Sequence, residues 1–178
     1  RGDRIWEKKY NSNQINKISH VWSFIALAKR CEGIESENIY SFFKNMVKNS
    51  NNPKKIKVKL KISKNITFFV KPLAIKRALN NVLSNAFFYA RDKILVTVTK
   101  IQNKGTLIIF EDDGPGVPKN KRDDVIKAFY RIDESRLSKS ANTGLGLTIT
   151  RNIVSGHGGS LKLGDSSIGG LQVKIYLP

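Results

Sequence analysis

Apolar residues along this chain change their spacing from segment to segment, and each change limits what the segment can become. Ile15, Ile18, Trp22 and Ile25 are spaced three, four, three, with Phe24 and Ala28 widening the stripe. That spacing predicts a helix over 13–30 with a bundle or coiled-coil face, ended at Gly33. A second helix follows, with Ser36 offering an N-cap and Ile39, Phe42, Phe43, Met46 and Val47 on one side. Ile56, Val58, Leu60 and Ile62 then alternate with lysines, the period of a half-buried strand. Ile66 to Val70 reads as its hairpin partner across Lys64-Asn65. Pro72 suits the first turn of a long third helix, where Leu79, Val82, Leu83, Ala86, Phe87 and Ala90 return to helical spacing.

Beyond that helix, Ile94–Ile101 and Thr106–Phe110 predict two strands around Asn103-Lys104-Gly105. Leu145–Ser155 predicts a last helix, and Ser160–Leu163 with Leu171–Leu177 a last hairpin around Gly169-Gly170. Pro115 to Asn142 is polar, basic and long, with one short helical stretch over 123–129. It reads as a mobile lid of the kind that is often functional. Helices and hairpins in this order give an α/β sandwich of two layers, a mixed and mostly antiparallel sheet covered by helices, preceded by a bundle-type helix.

Composition narrows the class. With 178 residues, 40% of them hydrophobic and 26% charged, the chain is globular, neither disordered nor collagenous. It has no apolar run of membrane-spanning length, and its start lacks the apolar core of a signal peptide. The single cysteine, Cys31, forms no internal disulfide and is too few for a zinc site, so a reducing compartment is expected. The net charge of +18 raises nucleic acid, a membrane surface or an anionic small molecule as partners. Its lysines run from Lys8 to Lys174 without a block, which reads first as solvated faces. The phenylalanines fall mostly at core positions, so no row of stacking aromatics supports nucleic acid.

Three clusters carry chemistry. Arg77, Asn81, Asn85 and Tyr89 are each four apart and share one helix face. Two carboxamides there suit a hydrated magnesium ion or phosphate oxygens, or are simply a solvated face. Glu111-Asp112-Asp113-Gly114-Pro115-Gly116 follows an apolar strand. Its glycines let backbone approach a flat ligand and its acid can accept from an exocyclic amine; a tight turn with solvated acids is the plainer reading. Thr143-Gly144-Leu145-Gly146-Leu147 opens a helix, whose free N–H groups and dipole suit phosphate or mark an ordinary helix start. No P-loop, dinucleotide fingerprint, zinc-protease or nucleophile-elbow pattern occurs.

The order N-x-x-x-N on a helix, D-x-G-x-G after a strand, a basic lid and T-G-L-G-L into a helix resembles the ATP-binding domain of sensor histidine kinases. The wider group also holds type II topoisomerase, mismatch-repair and heat-shock chaperone ATPases. Residues 72–78, 111–117 and 171–178 look most like the osmolarity-sensor, EnvZ-like type. By this resemblance, 1–32 is the end of a dimerisation helical hairpin and 33–178 the ATP-binding domain. Asn81 and Asn85 become the candidate catalytic pair, with Asn85 on magnesium. Tyr89, Asp112, Gly114, Gly116, Phe129, Arg131, Arg136, Thr143, Gly144, Leu145 and Gly146 become the candidate nucleotide contacts. Asp112 takes the adenine amine, Ala128-Phe129-Tyr130-Arg131 the F box, and Gly144 and Gly146 the second glycine box.

The same resemblance implies Mg-ATP as cofactor and phosphate transfer to a histidine. A response regulator and a second copy of the kinase are the expected partners, without nucleic acid. The expected setting is the cytoplasmic side of the membrane, reached through segments outside this chain. Departures are visible. Phe88 stands where a Lys, Arg or His is frequent, with Lys139 as one possible substitute, and Asn142 stands where the second glycine box begins with Gly. Asn81 stands where hydrolysing relatives carry a glutamate, and an amide is no general base, which favours transfer over hydrolysis. A hydrolytic relative, or a regulatory domain that binds ATP without transfer, are the alternatives. Neither His20, followed by Val21-Trp22-Ser23, nor His157, in a glycine-rich turn, fits the acceptor motif of His, an acid, a basic residue, Thr or Asn, and Pro. The phospho-acceptor is therefore expected outside this chain.

Overall fold

The computed structural model describes residues 35–62, 66–101, 105–130 and 144–178. The predicted helix over 13–30, His20, Cys31, Arg131, Arg136, Lys139, Asn142 and Thr143 lie outside the described residues.

Five strands form the main sheet: β2 (Lys57–Ile62), β4 (Lys93–Ile101), β5 (Gly105–Asp112), β6 (Ser160–Asp165) and β7 (Leu171–Leu177), in the order β2-β4-β5-β7-β6. All neighbours are antiparallel except β2 and β4, which run parallel with Val58 beside Ile94 and Leu60 beside Val96. A separate pair joins β1 (Glu35–Asn38) to β3 (Thr67–Val70) antiparallel.

The structure departs from the predicted pattern at β3 and at Ser36. Ile66–Val70 is not the hairpin partner of β2. A parallel partner sets the half-buried Val58, Leu60 and Ile62 of β2 on the same face as Ile94, Val96 and Val98 of β4, and β3 instead takes β1. Ser36 is not an N-cap: it lies within β1, and the helix α1 (Ile39–Lys48) begins three residues later, with Ile39 N–H donating to Ile66 C=O at 3.0 Å.

Alternation decides which sheet face is covered. Ile94, Val96 and Val98 of β4, Ile108 and Phe110 of β5, and Val173, Ile175 and Leu177 of β7 are buried on one side. Across them lie α2 (Pro72–Tyr89) and α4 (Gly146–Gly156), with Ile75, Leu79 and Leu83 of α2 fully buried. The α1 helix joins this layer through Phe43, whose ring sits 5.9 Å from that of Phe110. Pro72 occupies the first turn of α2, where no N–H is missed. Lys54 closes the other end, its Nζ donating to the carbonyls of Phe88 at 2.6 Å and Ala90 at 3.3 Å. A cation at a helix C-terminus meets the negative end of the dipole. Among the described residues between Gly116 and the last helix, a 3-10 turn (Lys119–Lys121) and the short α3 (Arg122–Val125) are regular, less than the predicted stretch over 123–129.

A candidate nucleotide site between two helices and the end of β5

The long α2 helix carries the first cluster. Asn81 Nδ2 donates to Gly146 C=O at 3.4 Å, and a Cβ added at Gly146 would stand 3.6 Å from the Asn85 amide. The two carboxamides therefore sit against the first residue of α4. Thr150, fully buried, fixes that contact, its hydroxyl within 3.1 Å of Ala78 C=O and 2.8 Å of Gly146 C=O. The N-cap position of α4, the buried Leu145, makes no side-chain capping bond. Among the described residues no side chain caps the first-turn N–H groups of α4, the arrangement that attracts anionic oxygens.

Three successive carboxylates end β5, and each goes a different way. Glu111 accepts from Ser167 N–H at 2.7 Å and from the Gln172 amide at 3.1 Å. Burial works to raise its carboxyl, but these donors and the nearby Lys174 hold it below the ordinary range. Asp113 receives the N–H groups of Arg91 (2.8 Å), Asp92 (3.1 Å) and Lys93 (3.0 Å), stapling the α2–β4 connection to the end of β5. Asp112 is buried, and its Oδ1 takes Gly114 N–H at 2.9 Å and Leu171 N–H at 3.2 Å. Its other oxygen accepts from no described residue. Burial pushes its carboxyl above the ordinary range, against the pull of those two N–H groups.

Glycine is required around Asp112 for space. A Cβ at Gly114 would stand 2.5 Å from Tyr89 C=O, and one at Gly170 only 2.2 Å from Asp112 Oδ1. The Tyr89 carbonyl, at the end of the Asn81–Asn85 face, is thus brought to the Asp112 turn, while its ring is exposed and meets Phe88 edge-on at 4.8 Å. Gly116 follows in the left-handed region at φ 70°. Farther along, Phe129 and Gly144 meet. Both have positive φ, 66° and 68°, and Phe129 N–H donates to Gly144 C=O at 3.1 Å. Thr148 Oγ1 of α4 donates to Ile126 C=O at 2.7 Å beside them.

The structure thus gathers Asn81, Asn85, Leu145 and Gly146 at one locus and Tyr89, Asp112, Gly114 and Gly116 at another, with α2 linking them and Phe129–Gly144 beside the α4 terminus. Sequence reasoning missed Gly170 and Leu171, which complete the Asp112 turn from 58 and 59 residues away and left no local signal. It also missed the Asp113 clamp, for which an acid before glycine at a strand end was a usable cue. His157 is structural. Its Nε2 accepts from Lys71 N–H at 3.1 Å and its Nδ1 lies 2.8 Å from Ile153 C=O, joining the end of α4 to the start of α2. A separate groove of about 870 Å³ between α1 and α2, lined by Phe42, Met46, Leu73, Phe87 and Phe88, contains none of the site residues.

A buried carboxylate in a strand-end turn, a carboxamide pair and the start of α4 thus lie along one side of α2, in an α/β fold of mixed sheet and covering helices. Residues 70–178 match the family described as histidine kinase-, DNA gyrase B- and HSP90-like ATPase, well over half of the sequence, and the chain belongs to that family. Among characterised relatives it is 41% identical over 107 residues to the sensor histidine kinase CpxA of Escherichia coli K12, covering 60% of this chain and 23% of that protein. It is 34% identical over 104 residues to the sensor protein RstB of the same organism, covering 58% and 24%. The chain therefore spans about a quarter of the length of these relatives. In fold it resembles the mycobacterial sensor histidine kinase MprB (TM-score 0.70, 23% identity, 82% of this chain and 97% of that one). It also resembles full-length ShkA in complex with AMPPNP (TM-score 0.77, 20% identity, 93% and 35%). No helix among the described residues is long and apolar enough to cross a membrane.

Proposed function

We propose that this chain is the ATP-binding catalytic portion of a sensor histidine kinase, which binds Mg-ATP and presents the γ-phosphate to a histidine on a dimerisation domain. The observation that carries this reading is Asp112: a buried carboxylate with one oxygen spent on the turn and the other open to an amine. The start of α4, where Leu145 makes no side-chain cap, lies at the other end of the Asn81–Tyr89 face of α2 and suits the anionic end of the same ligand. Residues 1–32 are then the end of the dimerisation hairpin and 33–178 the nucleotide domain. Arg131, Arg136 and Thr143 remain proposed phosphate contacts. A response regulator, a second copy of the kinase and a membrane anchor outside this chain complete the reading, with the domain on the cytoplasmic side.

Magnesium fits the residues present. The Asn85 amide is a hard donor beside the α4 start. Among the described residues no three His, Cys, Asp or Glu gather to hold a metal, so Asn85 and the phosphates themselves would hold it. When bound, the ion neutralises charge on the departing diphosphate. The chain's own residues do the rest: Asp112 accepts the adenine amine, α4 N–H groups receive phosphate oxygens, and Asn81, an amide, offers no base for water. The imidazole nitrogen of the acceptor bonds to the γ-phosphorus as the bond to the ADP oxygen breaks, and the imidazole proton leaves to solvent or a neighbouring base.

The test is incubation of the chain with γ-labelled ATP, alone and with a separately supplied dimerisation domain. Acid-labile phosphate on the added domain, and none on this chain, is expected. Rapid release of free phosphate without label on either protein would point to a hydrolase, and stable label on His20 would make His20 the acceptor.

A further inference from the structure

The open face of the five-stranded sheet collects charge that the sequence scatters. Register and alternation put Lys57, Lys59 and Lys61 of β2, Lys93 of β4, Lys162 of β6 and Lys174 of β7 on the side away from the helices, all exposed. The one strand carboxylate on this face, Glu111, is buried and already engaged by Ser167 and Gln172. The ion pairs among the described residues, Arg122–Asp165 and Lys127–Asp124, involve none of the six. Lys162 stands directly across from Lys174, and Lys57 beside Lys93. Like charges so placed weaken a sheet, and Glu111, already engaged by Ser167 and Gln172, acts on Lys174 alone among the six. Between the lysines lie the half-buried Leu95, Leu107, Ile109 and Tyr176. Four strand spacings of about 4.8 Å make the face roughly 19 Å across.

We propose that this face docks on an anionic lipid bilayer. Charge complementarity selects an anionic partner, and the make-up of the face selects lipid among anions. A protein partner of useful affinity is usually anchored by buried aromatics and arginines in pockets; this face has no strand arginine and one half-buried tyrosine. A single-stranded nucleic acid needs a row of stacking aromatics, which is also missing. Lysine is a flexible point charge, and headgroups that diffuse laterally meet it wherever it stands. Each lysine near such a surface strengthens partitioning about fivefold. This inference is independent of the nucleotide reading, since the face contains none of the proposed nucleotide contacts.

Co-sedimentation of the 178-residue chain with phosphatidylcholine vesicles, plain or doped with phosphatidylglycerol, tests it. Binding is expected to the doped vesicles only, and to weaken as salt screens the charges. The triple variant Lys59→Gln/Lys162→Gln/Lys174→Gln should bind about a hundredfold more weakly. The charge-matched Lys44→Gln/Lys48→Gln/Lys76→Gln, on the exposed sides of α1 and α2, should change far less. Equal loss in both triples would reduce the effect to diffuse net charge and overturn the proposal, as would equal binding to plain vesicles. Tighter, face-dependent binding to poly-glutamate or to an oligonucleotide would overturn the choice of lipid.

Discussion

Asp112 and Asp113 are neighbours whose protons respond to folding in opposite directions. Burial raises the folded pKa of Asp112 above its unfolded value. Its ionised form is therefore a cost to the fold at neutral pH, and its contribution improves as pH falls through the folded value. Burial pushes Asp113 the same way, but three backbone donors prevail and its folded pKa is lowered. Its contribution is present above the unfolded pKa and is lost as pH falls through the folded one. Two outcomes follow. Asp112→Asn keeps an oxygen for Gly114 and Leu171 and removes a buried charge, so urea denaturation at neutral pH should show stability equal to or above wild type. Calorimetry should show ATP affinity down roughly tenfold or more, the loss of one charge-assisted hydrogen bond; wild-type affinity would remove Asp112 from the adenine pocket. Asp113→Ala should cost about 1 kcal/mol, limited by solvent screening. That difference should disappear in acid, and a difference that persisted there would show that the clamp does not depend on the charge.

Elements were legible where their period was unambiguous. The α2 helix, β4, β5 and the last hairpin stand where spacing puts them, because alternation and helical periodicity report which face is buried. Neither reports a neighbour. Ile56–Ile62 was readable as a strand, yet its partner was not: a short polar connection suggested a hairpin, while burial was satisfied by a parallel strand beyond the next helix. The site divides in the same way. Asn81, Asn85 and Asp112 were marked by local pattern, whereas Gly170, Leu171 and the bond from Thr150 to α2 depend on tertiary approach. That last bond yields a prediction at this scale. Thr150→Val keeps shape but removes the one hydroxyl proton shared between Ala78 C=O and Gly146 C=O in a buried place, and should cost about 1 kcal/mol. Because it also loosens α4 against Asn81, ATP affinity should fall with it; unchanged unfolding and binding would show that the α2–α4 contact does not rest on this hydroxyl.

Across the whole molecule, protection should follow position in the sheet. The central strand β5 lies between β4 and β7, with Ile108 and Phe110 essentially inaccessible. Its amides should be among the slowest to exchange, since their exposure requires the layers to part. Edge strands β2 and β6 should exchange faster. Mass-resolved hydrogen exchange reads this directly, and a β5 that exchanges as fast as β6 would contradict it. The basic sheet face belongs to this scale too. Its lysines are far apart along the chain, so only the strand order reveals them as one surface.

The parallel pairing of β2 with β4 also bears on the order in which the chain acquires structure. Residue 57 must find residue 93, and the intervening chain includes all of β3 and α2. Antiparallel contacts around the β4–β5 turn close a short loop, whereas this one closes a long loop and regains its entropy only after α2 has formed. Docking of β2 should therefore come after the transition state. Leu60→Ala should speed unfolding while leaving the refolding rate nearly unchanged, the signature of a low φ-value. Val96→Ala, inside the β4–β5 pair, should slow refolding. Stopped-flow chevrons of the two variants would separate them, and a slowed refolding limb for Leu60→Ala would mean that the long-range strand is part of the nucleus.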